Sequence, residues 1–125
     1  MNVVDSSCWI EYLMNSDIGA AVAPAIEDSG SLIVPSICLY EVYKKLAAEK
    51  SEAFAMEVIS YMKSGKIIVL DETLSVFAAQ VSRKHKLPAV DSIIYATTTQ
   101  NAAILWTCDK HFQDIPGIRY FPKSA

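Results

Sequence analysis

No stretch of this sequence is apolar over anything near the ~20 residues that a bilayer-spanning helix requires. Its longer apolar runs, such as Ala20 to Ala23 and Ala102 to Trp106, fall far short, which excludes a membrane-spanning segment. The opening Met1-Asn2-Val3-Val4-Asp5 lacks the basic segment and apolar core of an export signal, so a cytoplasmic location is expected. Cysteine is scarce. Cys8, Cys38 and Cys108 are odd in number and form no CxxC or Cys/His metal spacing, so they read as reduced, mostly buried thiols. Basic residues are in deficit, 11 against 14 acidic ones for a formal net charge of -3, so there is no general cationic surface and any nucleic acid must meet a local patch. The two histidines, His85 and His111, lie among charged neighbours and read as solvated.

What the chain does have is apolar content. With 125 residues, 52% hydrophobic and 20% charged, it fits one domain, residues 1–125, able to bury a substantial core. A mean hydropathy of +0.24 implies either an unusually well-filled core or an apolar surface covered by a partner. Short apolar runs alternate with longer helical patterns, the rhythm of an α/β fold in which crossover helices connect a mostly parallel sheet. Strands are expected at Asn2 to Asp5, Leu32 to Pro35, Lys66 to Leu70, Ala103 to Thr107 and, at an edge, Ile118 to Phe121. Helices are expected over Ser6 to Asn15, Gly19 to Asp28, from a Ser36 cap through Ala47, Glu52 to Lys63 after a Ser51 cap, Glu72 to the basic Arg83-Lys84-His85-Lys86, and from Pro88 through Thr97. Gly65 is placed as the left-handed residue that ends the fourth helix.

Ligands of open parallel sheets bind beyond the carboxyl ends of the strands, where loops diverge and helix N-termini converge. Asp5 ends the first strand and Asp109 follows the fourth. Glu41 lies early in the helix after the second strand, and Asp91 in the first turn of its own helix. Packed together, like charges raise one another's pKa and call for a compensating cation; a hard divalent ion takes oxygen ligands and serves phosphodiester hydrolysis. Ser6 and Thr107, beside the strand-end acids, are placed to hydrogen-bond a carboxylate or a metal-bound water. A simpler reading stands beside this one. Asp5, Asp91 and Asp109 also suit helix caps, Glu41 suits an exposed pair with Lys45, and Ser6 and Thr107 suit ordinary turn hydroxyls.

At these same positions the chain resembles a PIN domain, specifically the toxin half of VapBC toxin-antitoxin pairs. The resemblance is carried by four blocks in order: Val4-Asp5-Ser6-Ser7-Cys8-Trp9-Ile10, Pro35-Ser36-Ile37-Cys38-Leu39-Tyr40-Glu41-Val42, Leu87-Pro88-Ala89-Val90-Asp91-Ser92-Ile93-Ile94-Tyr95-Ala96, and Leu105-Trp106-Thr107-Cys108-Asp109-Lys110-His111-Phe112. Ser92, where alanine is usual, and Cys108 depart from the pattern, but no carboxylate is lost. The resemblance implies a three-layer α/β/α sandwich, with Asp5, Glu41, Asp91 and Asp109 binding Mg²⁺ or Mn²⁺. It further implies endoribonuclease activity on RNA, a homodimer, and inhibition by a VapB-type antitoxin. Lys44, Lys45 and Lys110, which adjoin Glu41 and Asp109, are the candidate RNA phosphate contacts.

Two other classes compete. One is a catalytically silent module that binds a partner and uses its acids as caps. The other is a different metal-dependent phosphohydrolase, although Asp5-Ser6-Ser7 lacks the second aspartate of the DxD nucleophile motif of haloacid dehalogenase-like phosphatases.

Overall fold

Short runs of Val, Ile and Leu bounded by polar turns form central strands that are buried on both faces, as a parallel sheet covered by helices requires. The two edge strands are only half-buried. A computed structural model describes residues 1–123. Its strands are β1 (Asn2–Val4), β2 (Leu32–Pro35), β3 (Lys66–Ile68), β4 (Ile104–Thr107) and β5 (Ile118–Tyr120). Its helices are α1 (Ser6–Leu13), α2 (Asp17–Glu27), α3 (Ser36–Glu49), α4 (Glu52–Met62), α5 (Glu72–His85) and α6 (Ala89–Gln100). The five strands lie in the order β3-β2-β1-β4-β5, every neighbouring pair parallel.

The chain moves outward from β1 to β2 to β3, then crosses back to β4 and β5. Right-handed crossovers therefore lay α1 to α4 on one face and α5 and α6 on the other, the three layers expected. The direction of winding reverses between β1 and β4, and the strands diverge there. Val3 pairs with Ile33 on one side and Leu105 on the other, and these residues, with Val4 and Val34, are wholly or almost wholly buried. Trp9 and Phe112 add the largest fully buried side chains. Among the described residues, no helix is long and apolar enough to cross a membrane.

Several local expectations need correction. Each strand except β2 is one or two residues shorter than its apolar run, although Asp5 and Phe121 still donate their N–H groups to the Trp106 and Thr107 carbonyls of β4. The second helix starts earlier, at Asp17, because the Ser16 hydroxyl accepts the Gly19 N–H at 3.0 Å and caps it. Ser36 is not a cap: Pro35 holds that position, and the Ser36 hydroxyl accepts the Leu70 N–H at 3.2 Å, tying α3 to the segment after β3. Gly65 is not left-handed; the left-handed residues at helix ends are Asn15 after α1, Lys86 after α5 and Ala102 after α6, with φ 55°, 57° and 50°. Gly65 is required instead by close approach, since a Cβ there would lie 3.0 Å from the Leu32 carbonyl oxygen and 3.1 Å from Val34 Cγ2. His85 is half-buried, its ring edge-on to Tyr95 at 5.5 Å, rather than solvated.

Candidate metal centre

The β1 ladder runs on into Asp5, whose N–H donates to the Trp106 carbonyl at 2.9 Å. Its own carbonyl accepts the N–H groups of Cys8 and Trp9, so the backbone of Asp5 starts α1. The side chain does not cap that helix. It turns instead toward β4, where Thr107 Oγ1 donates to Oδ2 at 2.8 Å, and Ser7 Oγ donates to the same oxygen at 2.8 Å. Thr107 also accepts the Asp109 N–H at 3.0 Å, so one buried hydroxyl connects the two strand-end acids.

Glu41 stands on α3 and is half-buried; its Oε1 accepts the Ser6 hydroxyl at 2.7 Å, which joins α3 to the start of α1. It does not pair with Lys45, which bonds Glu49 at 3.1 Å. Asp91, in the first turn of α6, and Asp109, before a 3₁₀ turn at Lys110–Phe112, meet at His111. His111 Nδ1 lies 2.9 Å from Asp91 Oδ2 and 2.9 Å from Asp109 Oδ1. The His111 N–H also donates to Asp109 Oδ1 at 2.9 Å, which fixes the turn, while Phe112 is wholly buried and anchors it. Asp109 therefore does cap, as the simpler reading had it, while its Oδ1 also faces the imidazole.

Electrostatics ties the four acids together. Burial pushes the Asp5 carboxyl up to about 6, against the pull of the Thr107 and Ser7 hydrogen bonds, and the charges of Asp109 and Glu41 push the same way. Asp91 also rises to about 6, through desolvation first and then the charges of Asp109, Asp5 and Glu41, with His111 pulling it down. Among the described residues, no lysine or arginine forms an ion pair with any of the four. A cluster of hard oxygen donors with no paired lysine or arginine to balance it fits a divalent cation that prefers carboxylate oxygen. The set is not uniform, however: the group whose ligand atoms lie within 4.8 Å of one another is Asp91, Asp109 and His111.

Two clefts open beside these acids. One, of about 440 Å³, is bounded by Ser6, Ser7, Glu11, Glu41, Lys45 and Lys123. The other, of about 410 Å³, is bounded by Ser7, Asp109, Lys110, His111, Tyr120 and Lys123. Lys45 and Lys110 thus border the site, whereas Lys44 turns away, over the Tyr40 ring at 5.7 Å. Sequence reasoning missed His111, Ser7 and Lys123. His111 was discoverable from its place two residues after Asp109; Lys123, far down the chain, had no local signal. Asp114 is exposed. Cys8, Cys38 and Cys108 are buried free thiols packed around the same acids.

A family model described as "PIN domain" matches residues 3–118. The chain belongs to the PIN-domain family. Solved structures resemble this PIN domain over nearly its whole length. A toxin-antitoxin complex from Klebsiella pneumoniae aligns with a TM-score of 0.78 at 19% identity, covering 98% of this chain and 100% of that one. DNA-bound VapBC from Salmonella typhimurium gives 0.73 at 15%, covering 97% and 96%. A sarcin-ricin-loop-cleaving VapC toxin of Mycobacterium tuberculosis gives 0.75 at 14%, covering 94% and 96%. At these identities the likeness is one of fold. No curated protein sequence matches the chain.

Proposed function

We propose that this PIN domain is a Mg²⁺- or Mn²⁺-dependent endoribonuclease, the cytoplasmic toxin of a type II toxin-antitoxin pair, and that residues 1–125 form its single domain. The observation that carries the reading is the gathering of Asp5, Glu41, Asp91 and Asp109 at the point where the sheet's winding reverses, with two buried or half-buried carboxyls raised to about 6 and no lysine or arginine paired to them. Family membership supports the nuclease class, and the toxin-antitoxin complexes among the structural neighbours support the biological setting. The bound cation supplies charge neutralisation at the phosphate and a water of lowered pKa.

The chain's own residues do the positioning. Thr107 and Ser7 hold one oxygen of Asp5 and leave the other free; Ser6 does the same for Glu41. Asp91 and Asp109 face each other across His111. Lys110 and Lys123 on one side, and Lys45 on the other, are the cations that can grip RNA phosphates in the flanking clefts. Partners are a second copy of this chain and a VapB-type antitoxin. The groove that runs from Ser6 and Glu41 past Ile10 and Met14 to Leu46 and Phe54 supports the antitoxin, since its acidic end and apolar end match an extended segment bearing a cation and apolar anchors.

Incubating purified protein with RNA and Mg²⁺ or Mn²⁺ tests the proposal. Cleavage is expected with metal, none with excess chelator, and none from Asp91→Asn, whose melting curve stays cooperative. Undiminished cleavage by that variant or in chelator refutes it.

A further inference from the structure

Of the four carboxylates, only Asp91 and Asp109 share a neighbour that is not a hydroxyl. His111 Nδ1 lies 2.9 Å from an oxygen of each. A single N–H points along one line and serves one acceptor well, so one nitrogen equidistant from two carboxylate oxygens is poorly explained as a hydrogen-bond donor alone. The spacing has another meaning. Ligands at right angles around an octahedral ion with bonds of ~2.1 Å lie about 3 Å apart. All three ligand atoms fall within 4.8 Å of one another. The backbone that carries the imidazole is also held in place: the N–H of His111 donates to Asp109 Oδ1, and buried Phe112 fixes the next residue.

We infer that His111 Nδ1 is itself a metal ligand, completing a two-carboxylate, one-imidazole set with Asp91 and Asp109, and that it biases this site toward Mn²⁺ over Mg²⁺. This role rests on the reading of the acids as a metal site, and it specifies which ion that site prefers. Imidazole is a softer donor than carboxylate; it suits later first-row ions and contributes little to Mg²⁺, which keeps oxygen ligands and water. Ligation requires the neutral ring with its proton on Nε2, and the ring is more than half exposed, so that proton faces water. No bond other than the coordinate one forms, and the proton moves between the two ring nitrogens through solvent. The sequence contains two histidines, and His85 is committed to its edge contact with Tyr95, so a histidine ligand is assignable.

The test is pulsed electron paramagnetic resonance of Mn²⁺ bound to untagged protein, with histidine labelled in turn with ¹⁴N and ¹⁵N. Directly coordinated nitrogen is expected in wild type and in His85→Gln, shifted by the isotope and absent in His111→Gln. Calorimetric competition is expected to show the preference for Mn²⁺ over Mg²⁺ falling about 10-fold in His111→Gln. Bound Mn²⁺ without nitrogen coupling, while Asp91→Asn still abolishes binding, overturns the role of His111 and leaves the carboxylate site standing. Nitrogen coupling retained in His111→Gln overturns it too. Failure of Mn²⁺ to bind at all overturns both.

Discussion

The four carboxylates divide into two halves built on different principles. Asp5 and Glu41 are held by hydroxyls from Thr107, Ser7 and Ser6, and Asp5 is only 3% exposed. Asp91 and Asp109 meet across an imidazole at the mouth of a cleft lined by Lys110 and Lys123. In the first half Asp5 is the fixed, desolvated anchor, and the cost of its burial falls on the fold. In the second, Asp91 also carries a desolvation cost, while Asp109 and His111 open onto the cleft where substrate can reach them. A site that must hold a cation and still admit a polyanion needs both.

Neutralising one acid from each half is expected to separate them most strongly. Asp5→Asn and Asp109→Asn are both expected to lower RNA cleavage by ~10²-fold or more, since each removes a charge facing the reaction. Only Asp5→Asn is expected to stabilise the metal-free protein at pH 8, by up to about 3 kcal/mol, because it removes a charge that burial disfavours. Equal stability changes in chelator, read by denaturant unfolding, would erase the distinction.

A pH series sharpens the same point. The folded-state pKa of Asp5, about 6, lies above its ordinary value of 3.8, so the folded chain keeps a proton that the unfolded chain has lost. Stability from this group is complete below about pH 4 and is lost as pH rises through about 6; Asp91, also raised to about 6, acts in the same direction. Melting temperatures in chelator are expected to fall across that window, and Mn²⁺ is expected to flatten the fall. A melting temperature that rises from pH 4 to 6 in chelator contradicts the assignment.

Smaller effects come from the supports. Thr107→Val keeps the shape but removes the hydrogen bond to Asp5, and is expected to weaken Mn²⁺ binding by ~10 to 100-fold. Ser6→Ala is expected to cost less, because half-buried Glu41 can find water instead. Smallest of all, Lys110→Ala and Lys123→Ala are expected to raise KM for RNA with kcat unchanged, each lowering the salt slope of RNA binding by about one. A fall in kcat without a change in KM places those lysines elsewhere in the reaction.

Much of this was legible in the linear chain, and the parts that were not have a common cause. Strand identity followed from runs such as Leu32-Ile33-Val34 because a sheet covered on both faces needs unbroken apolar residues. Asp5, Asp91 and Asp109 were legible as strand-end and first-turn residues, and Glu41 as an acid early in the helix after β2, because topology decides what lies at the switch point. What failed were contacts between segments far apart in sequence. Ser36 reads locally as a cap, but its hydroxyl is taken by Leu70; Gly65 reads as a left-handed stop, but its place is set by Leu32 and Val34 in the neighbouring strand. His111 reads as solvated beside Lys110, and its ring is exposed, but no local signal shows that it also meets Asp91, twenty residues away. Local pattern carries secondary structure; only tertiary packing reveals which polar groups find each other.

The central claim is that four carboxylates remote in sequence act as one divalent-cation site. Calorimetric titration of Mn²⁺ into wild type and into Asp5→Asn, Glu41→Gln, Asp91→Asn and Asp109→Asn addresses it directly. Saturable binding that weakens in every variant is the predicted result. Binding of undiminished affinity in Asp5→Asn and Asp91→Asn, or no binding to wild type, would contradict it.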